Sequence, residues 1–365
     1  MTKLKEVIKI LEEWAPVKLQ ESYDNSGLQV GRPDAEVERA LVSLDITPEV
    51  IEEAKNQDCQ MIIAHHPLIF KPLKKLTGAN IVEECVELAI KYNIALYAIH
   101  TNLDNVQTGV NKILADKLGL QETQILQTGK EKLQKLVFYV PHASKEKVVT
   151  AMFAAGAGKI GNYDECSFST QGEGSFRPLE GSQPAIGTTG KRHTEPETRV
   201  EMLVQASFVA QVIRAMKQTH PYEEVAYDLF QMQNVNPNIG SGMIGTLASK
   251  MPKMEFLQML KEKLHCSAVQ FTKKGPEEIQ RVAICGGSGS FLISAAKSAG
   301  ADAFITGDIT YHSYFDASDD FMIVNVGHYE SEQFTPEGII AEIRKKMPTF
   351  ALLLSTVQTN PVNTL

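Results

Sequence analysis

The chain has 365 residues, 43% of them hydrophobic and 22% charged, with a formal net charge of −8. That balance is ordinary for a globular protein of roughly two or three domains. It speaks against nucleic acid as a partner, and no apolar run approaches the ~18 residues of a membrane-spanning helix.

The opening stretch MTKLKEVIKILEEWAP has the spacing of an amphipathic helix with acidic residues inside it. It lacks the apolar core and small-residue cleavage site of a signal peptide. Five cysteines, at 59, 85, 166, 266 and 285, show no CxxC spacing and no even count. They fit reduced thiols in a cytoplasmic protein better than a disulfide framework. From residue 40, strand-like runs alternate with helical patterns. RALVSLDI is a strand, and TPEVIEEAKNQD a helix with Thr47 as N-cap and Pro48 at its first position. QMIIAHHP is the next strand, NIVEECVELAIKYN a helix, IALYAIHTN a strand, and VNKILADKLGL a helix closed near Gly119. This alternation predicts an α/β fold, one largely parallel sheet covered by helices.

The character changes near residue 128. LQKLVFYVP is a strand, and SKEKVVTAMFAAGA a helix opening on a serine cap. A Gly-, Ser- and Thr-rich hairpin with a long tip follows over 163–193. The strand TRVEMLVQ, the helix SFVAQVIRAMKQTH and the strand EEVAYDLFQ complete the order β-α-β-β-α-β of a ferredoxin-like unit. The spacing places it at 128–236, with NVNPNIGSG as a linker. The first style then returns with MEFLQMLKEKLH, RVAICGG, FLISAAKSAG, ADAFITGD and FMIVNVGH, ending in the helix TPEGIIAEIRKKMP with Thr335 as its cap. The simplest organisation is one discontinuous α/β domain, 1–127 plus 237–365, interrupted by the insert at 128–236.

Four of the nine histidines fall at carboxyl ends of predicted strands, where open α/β sheets bind ligands. His65 and His66 are adjacent, and successive side chains of a regular strand point to opposite faces. Pro67 pushes His66 toward extended or polyproline geometry. The chain is therefore expected to leave the strand at His66, letting both rings turn to one cavity. The plain alternative is a buried histidine bonded to a backbone carbonyl. Asp104, in HTNLDN, is either a surface-turn aspartate or a carboxylate projected by a loop from the sheet end. His100 lies inside its strand end, either as a ligand or as a residue that supports the ligands from behind or faces the substrate. His328 and Glu332 stand i, i+4 and share a face if a helix starts there. Otherwise Glu332 merely suits a helix N-terminus.

Three histidines and two carboxylates without a thiolate suit zinc, manganese or iron(II). Five protein ligands exceed what a tetrahedral zinc with an open position takes, and fit two metals better. Two further features are weaker. Gly286, Gly287 and Gly289 in AICGGSGSF form either an anion cradle or a tight structural turn. Asp308 and His312 in FITGDITYH are candidates to line the same cleft.

The stretches YDNSGLQVG (23–31), IIAHHPLIF (62–70), IHTNLDNVQTGVNKILADKLGL (99–120), AICGGSGSF (283–291), ADAFITGDITYH (301–312) and GHYESE (327–332) together resemble the GTP cyclohydrolase I type 2 homologue family, also called Nif-three-like proteins. The resemblance implies two divalent metal ions per subunit, zinc foremost with iron or manganese as alternatives, on His65, His66, Asp104, His328 and Glu332. It implies the longer form of the family, with a PII/CutA-like insert, and a toroidal homohexamer. The leading reading of the site is a metal-dependent hydrolase acting on a nucleotide or related phosphorylated small molecule, with His100 as the candidate for proton transfer. The alternative is a non-catalytic metal-trafficking or regulatory protein using the insert as a sensor.

Overall fold

The apolar runs MIIA and ALYA form the strands Met61–Ala64 and Ala95–Ala98, and every residue of both is buried. Strands buried on both faces belong inside a parallel sheet with helices on either side. In the computed structural model, which describes residues 2–129 and 131–365, they are central in a five-stranded sheet. Its order is Ala351–Leu354, Arg39–Ser43, Met61–Ala64, Ala95–Ala98 and Gly27–Val30. The first four run parallel, and Gly27–Val30 closes the edge antiparallel.

Local rules account for several helix ends here. Pro48–Asn56 starts beneath Thr47, whose hydroxyl accepts the Val50 N–H at 3.4 Å. Val110–Leu118 stops at Gly119, whose φ of +82° suits glycine. Leu4–Trp14 and Thr335–Lys346 lay Leu4, Val7, Leu11, Ile339 and Ile343 on one buried cluster with Val42 and Ile63.

A second sheet has six strands, in the order Gln270–Phe271, Met322–Asn325, Ala303–Gly307, Glu278–Ser288, Gly240–Pro252 and Gln121–Thr128. Its three middle strands from Met322–Asn325 to Glu278–Ser288 are parallel and the outer pairings antiparallel. The expectation of one sheet is therefore corrected to two large sheets, beside a two-stranded one of Thr2–Lys3 and Glu36–Val37. Among the strands the sequence did not announce, two were hidden for clear physical reasons. Gln121–Thr128 is an edge strand with only Ile125 buried, so no apolar run announces it. Gly240–Pro252 begins inside the glycine-containing stretch expected to be a linker. Phe256, fully buried, lies in the main cluster beside this sheet with Leu260, Leu118, Met243 and Val282.

Residues 2–129 and 237–365 make up one unit, and residues 131–236 the other. The second unit has strands Lys132–Pro141, Phe168–Phe176, His193–Val204 and Tyr227–Val235, with helices Lys145–Ala154 and Val209–Thr219. The sheet runs fourth, first, third, second, all antiparallel, which is the ferredoxin-like arrangement. Its core joins Leu136, Phe138, Val200 and Met202 to Met152 and Met216 of the helices.

Two expected caps are absent. Ser144 ends a 3-10 turn, His142–Ser144, and sits in helical backbone with no side-chain cap bond. Thr335 is already the first residue of its helix, with Phe334 before it. The short helix His328–Glu332 ends only two residues earlier, leaving no extended residue to act as a cap.

Glu83 illustrates a local device that works. Its carboxylate accepts from Thr77 N at 2.8 Å, Thr77 Oγ1 at 2.7 Å, Ala79 N at 3.2 Å and Asn80 Nδ2 at 2.9 Å. Asn80 in turn caps Ile81–Lys91 by accepting from Glu83 N at 3.0 Å. The bonds from Thr77, backed by Ala79 and Asn80, lower the Glu83 pKa from 4.5 to about 2. A depressed carboxylate pKa stabilises the fold above the unfolded value and ceases to as pH falls through the folded one. Glu83→Gln is therefore expected to melt below wild type at pH 7, with the gap closing as the pH is taken from 4.5 toward 2. A melting-temperature difference independent of pH would refute this assignment.

Candidate metal centre

The strand Met61–Ala64 ends one residue earlier than expected, so both histidines lie beyond it. His65 N and His66 N still bond to Ser43 O and Leu44 O, at 3.3 and 3.0 Å, which fixes the departing chain. The two rings lie 4.9 Å apart and are tilted by 45°. Asp104 comes from a one-turn helix, Thr101–Asp104, where a loop was expected. Asp24 builds that turn by accepting from Thr101 N at 3.1 Å, while Asn102 accepts from His100 N at 2.9 Å.

His328 and Glu332 are the first and last residues of the helix His328–Glu332, beyond the second sheet. That helix packs directly on glycines. A Cβ on Gly287 would collide with the Glu332 carboxylate, and one on Gly307 would lie 2.8 Å from His328 Cα. The N–H groups of Gly286, Gly287 and Gly289 donate to Asn111 Oδ1, Ser331 Oγ and Thr306 Oγ1. The anion-cradle alternative therefore falls and the structural one holds, because those donors are already engaged.

The four strand-end histidines share one pattern. Each Nδ1 is held from outside: His65 by Ile99 O at 2.8 Å, His66 by Asp45 at 2.7 Å, His100 by Asp24 at 2.8 Å, and His328 by Asp308 at 2.6 Å. Such supports fix ring orientation and leave Nε2 to the centre. His66 Nε2 and His328 Nε2 each lie 3.1 Å from Glu332 Oε2. His65 Nε2 lies 3.6 Å from both Asp104 Oδ1 and Glu332 Oε1. The ligand atoms fall into three close groups, His65–Asp104–Glu332, His66–His328–Glu332 and His65–His66–His100, each able to hold a metal ion.

Burial sets the charge states. It lowers the His65 pKa, and it raises that of Asp104, with the Glu332 charge adding to the effect. Burial would also lower His66, but hydrogen bonds to Asp45 and Glu332 outweigh it and raise the ring to about 10. The Glu332 bond raises His328 to about 9. Burial disfavours ionised Glu332, yet bonds from His328 and His66 hold it well below the usual carboxylate range. Within this centre, two buried atoms of the described residues have no hydrogen-bond partner, His65 Nε2 and Asp104 Oδ1. With its Nδ1 proton on Ile99 O, neutral His65 presents a lone pair to the carboxylate oxygen. This pair is unfavourable until a proton, which the raised Asp104 pKa favours, or a metal cation sits between the two atoms.

Sequence reasoning missed Asp45, Asp24 and Thr359. Thr359 Oγ1 donates to Asp45 Oδ2, linking the C-terminal segment to His66 through one carboxylate. Asp308 supports His328, but His312 stacks on Tyr311 at 5.4 Å on an exposed turn and joins none of the three groups.

A model of the Duf34/NIF3 (NGG1p interacting factor 3) family matches residues 2–361. The chain is 37% identical over 362 residues to a Bacillus subtilis protein named GTP cyclohydrolase 1 type 2 homolog, covering 98% of this chain and 97% of the relative. A Halalkalibacterium halodurans protein of the same name is 37% identical over 361 residues, covering 97% of each. Among solved structures, a Bacillus cereus protein related to NIF3 superposes with a TM-score of 0.89 at 36% identity, covering 100% of this chain and 99% of the other. Staphylococcus aureus protein SA1388 gives 0.75 at 29% identity with the same coverage.

Proposed function

The chain belongs to the Duf34/NIF3 family, and from that starting point we propose that it is a two-metal hydrolase acting on a nucleotide or related phosphorylated compound. The observation that carries this is the facing pair of unpartnered buried acceptors, His65 Nε2 and Asp104 Oδ1. One subsite takes His65, Asp104 and Glu332 Oε1, and the other His66, His328 and Glu332 Oε2. Glu332 thus offers one oxygen to each. A divalent pair in such ligands supplies a low-pKa water as nucleophile and stabilises charge developing on the substrate.

The chain's own groups do the rest. Asp45 and Asp308 orient His66 and His328, so that their Nε2 atoms face Glu332. His100, with Nδ1 on Asp24 and its ring 5.3 Å from His65 and 5.4 Å from His66, is placed to hold or release a proton at Nε2. At its rim Phe70 stands edge-on to His100 at 6.4 Å, and Tyr23 lies 6.3 Å from Phe70. Both aromatic rings are exposed, which suits a planar base.

One observation favours a second reading, metal trafficking. The cavity of about 530 Å³ beside His66 and His328 is lined, among the described residues, by Asp45, Asp308 and Glu330 but by no Lys or Arg. Such a lining suits a passing cation better than a phosphate.

The test compares wild type with a His65→Ala, His66→Ala double variant for metal content and for turnover of GTP and a phosphoester panel. Wild type is expected to carry two metals and turn over a substrate, and the double variant to do neither. Turnover by the metal-free variant would end the hydrolase reading. Wild type that exchanges metal quickly and turns over nothing would establish the trafficking one.

A further inference from the structure

A second cavity, about 600 Å³ in volume, lies wholly within the unit of residues 131–236. That is the size of a site for a small organic molecule. Its floor is the strand Phe168–Phe176, which carries Gly172 and Gly174. Neither glycine has the left-handed backbone that would demand one. Glycine within a strand weakens it and marks the close approach of another group. Here that group is Glu197, because a Cβ on Gly174 would collide with its carboxylate.

Glu197 is only 8% exposed, and it lines the cavity. Among the described residues no basic side chain pairs with it. The neighbours along the same strand are already engaged, His193 with Glu195 at 3.0 Å and Arg199 with Glu201. The Tyr222 hydroxyl lies against it, but a carboxylate withdrawn from water gains further from a counter-charge.

The wall beside it is aromatic. Phe176 and Tyr222 stand 5.7 Å apart at 60°. Tyr222 is fixed through its own N–H to His220 Nδ1 at 3.1 Å, and His220 Nε2 donates to Tyr139 O at 2.9 Å. The tip of the hairpin closes over the space, with Gln183 N donating to Glu223 Oε1 at 3.0 Å. Four glutamates, 173, 197, 223 and 224, line the cavity against two arginines, 177 and 199. An anion is therefore repelled. A bare divalent ion lacks ligands, because no group of three metal-binding side chains converges here among the described residues.

We infer that this cavity binds a small organic cation, an ammonium group carried on a flat ring. The ammonium pairs with Glu197 and the ring packs on Phe176 and Tyr222. This site is independent of the metal centre, and its failure would leave the metal-dependent reading untouched.

The experiment titrates the full-length protein calorimetrically with tryptamine and with indole-3-acetate, the same ring bearing the opposite charge. Tryptamine is expected to saturate and indole-3-acetate not to. Glu197→Gln, which keeps the volume and removes the charge, is expected to weaken tryptamine by about tenfold or more. Gly174→Ala, which displaces the carboxylate without removing it, is expected to weaken it too, and thermal melts check that both variants are folded. Absence of saturable tryptamine binding by wild type would overturn the inference. So would Glu197→Gln binding at wild-type strength, or indole-3-acetate binding as well as tryptamine.

Discussion

Glu332→Gln is expected to lose metal at both subsites at once, with affinity falling by at least about 100-fold at each. Replacing a residue that merely supports a ligand typically costs 10–100-fold, and Glu332 is the side chain that two of the three candidate groups share. Its Oε2 lies 3.1 Å from His66 Nε2 and from His328 Nε2, while its Oε1 faces His65 Nε2 at 3.6 Å. An amide can offer only one oxygen. Metal content after dialysis, with cobalt(II) absorption to report on each coordination environment, measures this directly. Loss at the His66–His328 subsite alone would show that Glu332 does not bridge. The same substitution leaves His66 and His328 without their anionic partner, so the metal-free variant should also melt lower. Added zinc should stabilise wild type and not the variant, by the usual linkage of ligand binding to folding.

Phe256→Ala is expected to cost about 3–5 kcal/mol, the range for removing a fully buried aromatic ring. At roughly 2–4 °C per kcal/mol for a domain of this size, the midpoint should fall by about 10 °C. Phe256 has no exposed surface and lies with Leu260, Met243 and Val282 in the cluster beside the six-stranded sheet. Phe138→Ala makes the matching hole in the ferredoxin-like unit, where Phe138 is equally buried. The two units have separate cores, so scanning calorimetry should show the two variants shifting different transitions. Identical displacement of a single transition by both would show that the chain unfolds as one cooperative body.

Much of the centre was legible before any coordinates. A histidine doublet before a proline, at the end of an apolar strand, already implied an irregular exit. The exit came one residue sooner, at Ala64, because the ladders with Ala40–Ser43 and Ala95–Ala98 both end there. The i, i+4 spacing of His328 and Glu332 needed only a helix to be meaningful, and one turn of helix spans those two residues. Thr47, Pro48 and Gly119 bounded their helices as local chemistry requires. Ser144 and Thr335 did not, because each is preceded by another helical turn rather than by extended chain.

The sequence by itself determined which residue types were available: three histidines and two carboxylates with no thiolate, at predicted strand ends. It also determined the ferredoxin-like order of the insert, since alternation and turn residues act over a few positions. Only the tertiary structure decided that these side chains converge from the ends of two sheets. It decided too that Glu332 faces both groups and that His65 Nε2 and Asp104 Oδ1 are left facing one another. Asp45 supports His66 from 21 positions away, and Thr359 reaches Asp45 across 314. No periodicity in a chain encodes such pairings, because they arise from packing between segments with no local relation. The glycines beneath the helix His328–Glu332 carry the same lesson. Their lack of a side chain becomes intelligible only when the neighbour that needs the space is in view.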